Sequence, residues 1–184
     1  MNHKNPWKKI SSRNIYRNNW INIREDQVIT PTGTQGIYGV VETKPAIGVV
    51  PVTENLDTFL VGQYRYTLDF YSWEIPEGGG QEDEAVLDGA RRELREETGL
   101  TAFKWTNLGT CHTSNSFTNE TAYLFLAEGL KNGRPNPDHT EELSVKQMPF
   151  LEAWAMVKDG TIQDAMSIIG LMRARDLLIK QGRI

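Results

Sequence analysis

The segment from Gly78 to Leu100, GGGQEDEAVLDGARRELREETGL, constrains this chain more than any other. It predicts a helix over Glu84–Thr98, stopped by Gly99 at the position after its C-terminus. On that helix Glu93 lies four residues from Glu97 and three from Glu96, so three carboxylates leave neighbouring points of one surface. Leu87, Ala90 and Leu94 recur at three- and four-residue spacing and form a face that must dock on another layer. Like charges so close repel by about 0.2–0.5 kcal/mol per exposed pair. Two counter-charges are open to the helix. Arg91, Arg92 and Arg95 can pair with the glutamates along a solvated face, or a hard divalent cation can sit among the carboxylates and keep waters for a phosphate to share. The glycines at 78–80 let the backbone pass close to such a cation, where the carbonyl of Glu77 is placed to add a ligand.

The rest of the chain supplies a layer for that helix. Ala46–Val52 is a continuous apolar run of the kind found in a buried central strand, and Thr58–Tyr66 is expected beside it across the turn at 54–57. Further strands are expected at Tyr71–Ile75, Lys104–Cys111, Thr121–Glu128 and near Ser144–Met148, with helices at about Phe150–Lys158 and Asp164–Gln181. This order predicts an α/β fold with a mixed central sheet between helices. Residues 1–43 read differently. Asn14–Arg24, Asp26–Ile29 and Gly36–Glu42 alternate apolar and polar side chains imperfectly around the Thr30-Pro31-Thr32-Gly33 turn, as an antiparallel β arm does. The arm has too few large apolar residues to stand alone and must pack on the main body, residues 44–184, or on a second subunit.

Composition narrows the function. With 20 Lys+Arg against 24 Asp+Glu, a net charge of −4 argues against a protein held on nucleic acid by counterion release. No run approaches a membrane span or a signal peptide, and the single cysteine, Cys111, excludes a disulfide framework within the chain. These features predict a soluble, cytoplasmic protein. Cys111 reads as a small apolar residue late in a strand.

The 78–100 segment matches the signature of the Nudix hydrolases: Gly, five residues, Glu, seven residues, then Arg-Glu-apolar-any-Glu-Glu-any-Gly-apolar. The matching positions are Gly78, Glu84, Arg92, Glu93, Leu94, Glu96, Glu97, Gly99 and Leu100. Seven fixed letters at about 7% each coincide by chance on the order of 10⁻⁸ per start position. The resemblance implies an α-β-α sandwich whose signature helix binds Mg²⁺ or Mn²⁺, and hydrolysis of a nucleoside diphosphate linked to another group. It implies that Glu93 and Glu97 ligate the metal directly, that Glu96 does so directly or through water, and that Arg92 and Glu84 orient the helix.

Gln63-Tyr64-Arg65-Tyr66 and Trp73-Glu74-Ile75-Pro76-Glu77-Gly78 are similar to runs in the branch that hydrolyses ADP-ribose and other nucleoside diphosphate sugars. By that resemblance Arg65 contacts substrate and Glu74 sits beside the diphosphate. Glu77 departs from the alanine usual before the signature glycine. Ser114–Glu120 resembles a loop of the same branch, which brings Glu120 toward metal or substrate. The branch recruits a catalytic carboxylate from the loop before the last strand, here Glu141 or Glu142, with His139 ranked below both. In that branch N-terminal strands cross to the partner subunit and help form the nucleotide pocket, implying a domain-swapped homodimer in which Tyr16 and Trp20 offer ring faces to a base. Two other readings compete: a housecleaning hydrolase of nucleoside triphosphates or dinucleoside polyphosphates, and a sensor of nucleotide sugars that has lost catalysis. The QYR run and the arm weigh against the first, and the complete set of signature glutamates weighs against the second.

Overall fold

The computed structural model describes residues 4–136 and 142–184, and these form two compact units. The first takes in the chain up to Lys44 together with Ser114–Glu120. Strands β1 (Lys8–Arg17), β2 (Ile21–Ile29) and β3 (Gln35–Thr43) make an antiparallel sheet in the order β1-β2-β3. The alternation expected across Asn14–Arg24 is interrupted by a reversal at Asn18. Its Oδ1 accepts from the backbone N–H of Trp20 and of Ile21, both at 2.8 Å, and its own N–H donates to the Ile21 carbonyl at 3.0 Å. An asparagine side chain used in this way replaces ladder bonds and turns the strand back. Ser114–Glu120 joins the sheet at β3: the Val41 N–H donates to the Phe117 carbonyl, and the Thr43 N–H donates to Asn119 Oδ1 at 3.0 Å. Strand β1 is exposed along its whole length, and Val28 is the one apolar side chain of these three strands that is buried.

The second unit contains β4 (Ala46–Pro51), β5 (Asp57–Arg65), β6 (Phe70–Glu74), β7 (Glu77–Gly79), α1 (Val86–Thr98), β8 (Thr101–Cys111), β9 (Ala122–Lys131), β10 (Ser144–Pro149), α2 (Phe150–Lys158) and α3 (Ala165–Lys180). Its central sheet runs β7-β4-β9-β8, with β4 and β9 parallel and the outer pairs antiparallel. Side chains alternate between the two faces of this sheet. Ile47, Val49, Phe125 and Ala127 meet Ala90 and Leu94 of α1 on one side. Val50, Leu124 and Leu126 meet Leu171, Ala174 and Leu178 of α3, with Phe150 and Ala153 of α2, on the other. The mixed sheet between helices is the expected α-β-α sandwich. Cys111, half-buried at the end of β8, packs against the α3 side of the core.

One pairing differs from expectation. Strand β5 is not the ladder neighbour of β4 but the middle strand of a separate antiparallel sheet, β10-β5-β6. Both edges of β4 are already taken by β7 and β9, and Pro51 at its end has no N–H to give a further partner. Just past the end of β4 an isolated bridge pairs Val52 with Thr58, and the Thr58 hydroxyl donates to the Pro51 carbonyl at 2.8 Å. Helix α1 also begins two residues later than the periodicity predicts: Asp83 is in a left-handed conformation and Ala85 is extended, so Glu84 stands outside the helix. Among the described residues no helix is long and apolar enough to cross a membrane.

Candidate active site

A short strand, a loop and α1 place the carboxylates. Residues Glu77, Gly78 and Gly79 pair with Gly48, Ile47 and Ala46, which lays β7 along the sheet edge beside the helix. A methyl group at Gly78 would stand 2.4–2.5 Å from the carboxyl atoms of Glu93, so a Cβ here would push that carboxylate aside. Gly99 ends the helix with φ 73° and donates to the Arg95 carbonyl at 2.9 Å, the left-handed cap that a Cβ would strain.

Arg92 is the fastener. Its Nε and Nη2 donate to the two oxygens of Glu84, each at 2.9 Å, and Nη2 also reaches the Gly79 carbonyl at 2.9 Å. Nη1 donates to Glu93 at 2.6 Å and to Glu96 at 3.0 Å. One planar guanidinium thus ties the loop before the helix to two of the clustered glutamates, a geometry lysine cannot copy. The Arg92 hydrogen bonds hold Glu84 below the usual carboxylate range, against a smaller opposing effect of burial. Arg91 instead pairs with Asp88 at 2.7 Å.

Glu93 and Glu97 are buried, and the Glu77 N–H donates to Glu97 Oε2 at 2.9 Å. Glu96 stands further out, with 31% of its side chain exposed. Beside them Arg65, at the end of β5, meets Glu74, at the end of the adjacent β6: Nε lies 2.9 and 3.1 Å from the two carboxylate oxygens and Nη2 lies 2.5 Å from one of them. The same Nη2 is 3.2 Å from Glu77. Burial works against the Arg65 charge, but the Glu74 contact and the charges of Glu77 and Asp164 together outweigh it. Burial, and then the charges of Asp164 and Glu74, push the Glu77 carboxyl well up.

The sequence-predicted residues are therefore brought together only in part. Glu77, Glu93, Glu96, Glu97 and Arg92 surround one loop–helix junction, and Arg65 with Glu74 borders it. Glu120 belongs to the first unit, half-buried after the Ser114–Asn119 loop. Glu142 is exposed just before β10, and Glu141 and His139 lie outside the described residues. Trp20 is 74% exposed at the β1–β2 turn, and the Tyr16 hydroxyl accepts from Asn18 Nδ2 at 3.4 Å. Neither lines the cavity of about 290 Å³ in that unit, whose aromatic wall is the edge-to-face pair Trp7 and Tyr38. Asp164, which caps α3 by accepting from the Ser167 N–H at 2.6 Å, joins the acidic cluster although nothing near it in sequence marks it. The signal for Trp7 was an aromatic in the arm, the same signal carried by Tyr16 and Trp20.

Residues 42–168 match the model of the NUDIX domain, and residues 7–41 match that of the nucleoside diphosphate sugar hydrolase N-terminal domain. The chain belongs to the Nudix family. An ADP-ribose pyrophosphatase of Mycobacterium tuberculosis is 34% identical over 89% of this chain and 80% of its own length, and one of Bacillus subtilis is 31% identical over 86% of each. A crystal structure of an ADP compounds hydrolase superposes over 100% of both chains with a TM-score of 0.88 at 20% identity, which bears on the fold. Nudix hydrolases require a divalent cation, and the donor set of this Nudix protein fits one. Its donor atoms are all carboxylate or backbone oxygens, the hard ligands such a cation takes, and Arg92 and the Glu77 N–H hold Glu93 and Glu97 in place beside the loop.

Proposed function

We infer that this Nudix hydrolase cleaves the pyrophosphate bond of nucleoside diphosphate sugars, ADP-ribose and GDP-mannose among them, to a nucleoside monophosphate and a sugar phosphate. One observation carries the reading: a β unit of the nucleoside diphosphate sugar hydrolase type precedes a signature helix whose carboxylates are all present and held in one cluster. Glu93 and Glu97 would ligate the cation, Mg²⁺ in the first instance with Mn²⁺ as substitute, with Glu96 ligating directly or through water and the Glu77 carbonyl adding an oxygen. A cation held there neutralises the non-bridging oxygens of a diphosphate and acidifies water. The chain's own residues do the rest. Arg92 and Glu84 hold the helix at the loop, Arg65 and Glu74 border the diphosphate, and a carboxylate from Glu120, Glu141 or Glu142 takes the proton of the attacking water. The oxygen of that water joins one phosphorus while the bridging oxygen leaves on the other.

The first unit completes the proposal. Its exposed β1 and thin core fit an arm that crosses to a second copy of the chain, contributing Tyr16 and Trp20 to the nucleotide pocket and making a domain-swapped homodimer without nucleic acid or membrane, in the cytoplasm. Chromatographic product analysis over ADP-ribose, GDP-mannose, UDP-glucose, ADP-glucose and dATP with Mg²⁺ tests the activity. Monophosphate and sugar phosphate are expected from sugar nucleotides. Pyrophosphate from dATP, with nothing released from the sugar nucleotides, would overturn it. Gln variants at 120, 141 and 142 then identify the base as the one whose loss lowers kcat most.

A further inference from the structure

We propose that Glu74, Glu77 and Asp164 form an auxiliary divalent-cation site, distinct from the one at Glu93, Glu96 and Glu97. One carboxylate oxygen from each of the three lies within 4.8 Å of one from each of the others. A hard cation with bonds of about 2.0–2.6 Å spans ligand oxygens up to about 4–5 Å apart, so these three already fit one coordination sphere. Glu77 supplies an independent pointer. Its side chain is only 9% exposed, and while Oε1 accepts from Arg65, the inaccessible Oε2 has no hydrogen-bond partner among the described residues. A buried carboxylate oxygen left bare is costly unless something binds it. The charge count agrees. Among the described residues the cation bonded to Glu74 and Glu77 is Arg65, so three carboxyl groups gather around one guanidinium.

The surrounding fold makes this a built site. Asp164 uses Oδ2 to cap α3, leaving its other oxygen for a ligand role, and Ser167, one turn on, accepts from the buried Ile75 N–H at 2.9 Å. The N-terminus of α3 is thereby fastened to the Ile75-Pro76 corner that separates Glu74 from Glu77. Glu77 in turn fixes Glu97 through its N–H. An ion at this corner braces the backbone from which the signature helix is approached. It is a structural ion, and Glu77 and Asp164 are not letters of the Nudix signature.

Crystals grown with Mn²⁺ and measured at its absorption edge test the site directly. An anomalous peak among Glu74, Glu77 and Asp164 is expected in addition to density at Glu93 and Glu97. In solution, equilibrium dialysis against Mn²⁺ should show Asp164→Asn binding one ion fewer than wild type, because the amide keeps an oxygen to cap α3 but loses a charged ligand. If that variant does not fold, Glu77→Gln gives the same count, since the amide oxygen still accepts from Arg65. Occupied signature glutamates with no peak at the corner, or an unchanged stoichiometry in the folded variant, would overturn the auxiliary site and leave the proposed activity standing. A corner peak without ions at Glu93 and Glu97 would do the reverse, and a protein binding no Mn²⁺ at either place would sink both.

Discussion

At the scale of single residues the site depends on one missing side chain and one guanidinium. The Glu93 carboxylate occupies the space that a Cβ at Gly78 would take. Gly78→Ala is expected to fold, since β7 lies at a sheet edge, but to displace Glu93 and weaken Mn²⁺ binding by about 10–100-fold, as disturbed ligand orientation does elsewhere. Titration of the variant with Mn²⁺ followed by electron paramagnetic resonance checks this, and an unaltered affinity would show that Glu93 is not a ligand. Arg92 sets a pH dependence. A carboxyl held below its ordinary 4.5 in the folded chain contributes stability that is complete above that value and is lost as pH falls through its lowered folded value. Wild type should therefore lose more of its melting temperature below pH 4.5 than Glu84→Gln does, the difference between the two curves isolating this pair. Parallel curves would mean that the Arg92–Glu84 pair adds nothing. The clustered glutamates were legible at this scale because a helix brings residues three and four apart together without help from the rest of the chain.

At the scale of elements, the N-terminus of α3 and the corner after β6 act as one piece. The Ile75 N–H is buried and has the Ser167 hydroxyl as its acceptor. Ser167→Ala leaves that donor without its partner, which costs about 1–3 kcal/mol, and lets the backbone leading to Glu77 relax. Urea unfolding should report the stability loss, and kcat should fall with it because Glu77 N–H holds Glu97. A variant that loses stability yet keeps wild-type turnover would separate the corner from the chemistry. Helix and strand positions were readable from periodicity and apolar runs, but partners were not. Thr58–Tyr66 has the pattern of a strand adjacent to Ala46–Val52, yet β7 and β9 occupy those edges, and β7 is a three-residue Glu-Gly-Gly strand with no pattern to announce it. The reversal at Asn18 escaped for a related reason: the turn is made by a side-chain oxygen inside an otherwise alternating run.

At the scale of the whole molecule, the first unit poses the question of association. Ile10 is 65% exposed and Ile15 53%, on a strand with no buried residue. Surface of this kind calls for a covering partner, and the second copy proposed above supplies one. Sedimentation at micromolar concentration is expected to give a dimer, and Ile10→Glu with Ile15→Glu is expected to shift it toward monomer. A wild-type monomer under those conditions would overturn the crossed arm.

The chain by itself determined what depends on near neighbours: the signature helix and its three carboxylates, the apolar strands of the layer it docks on, and the arm too polar to hold a core. These are written in short-range spacing, where backbone geometry alone decides which side chains share a face. Tertiary structure decided what depends on distant segments meeting. Arg65, opposite Phe70 in the β5–β6 ladder, engages Glu74, opposite Val61, by reaching its long side chain along the paired strands, and Asp164 joins Glu77 because α3 packs across the sheet with its capped end at the Pro76 corner. The charge balance of the site was open to either arginines or a cation when read along one helix. Folding gave Glu84, Glu93 and Glu96 the same arginine and left Glu77 with a bare buried oxygen, because burial sets which carboxylates lose water and packing sets which cation can reach them.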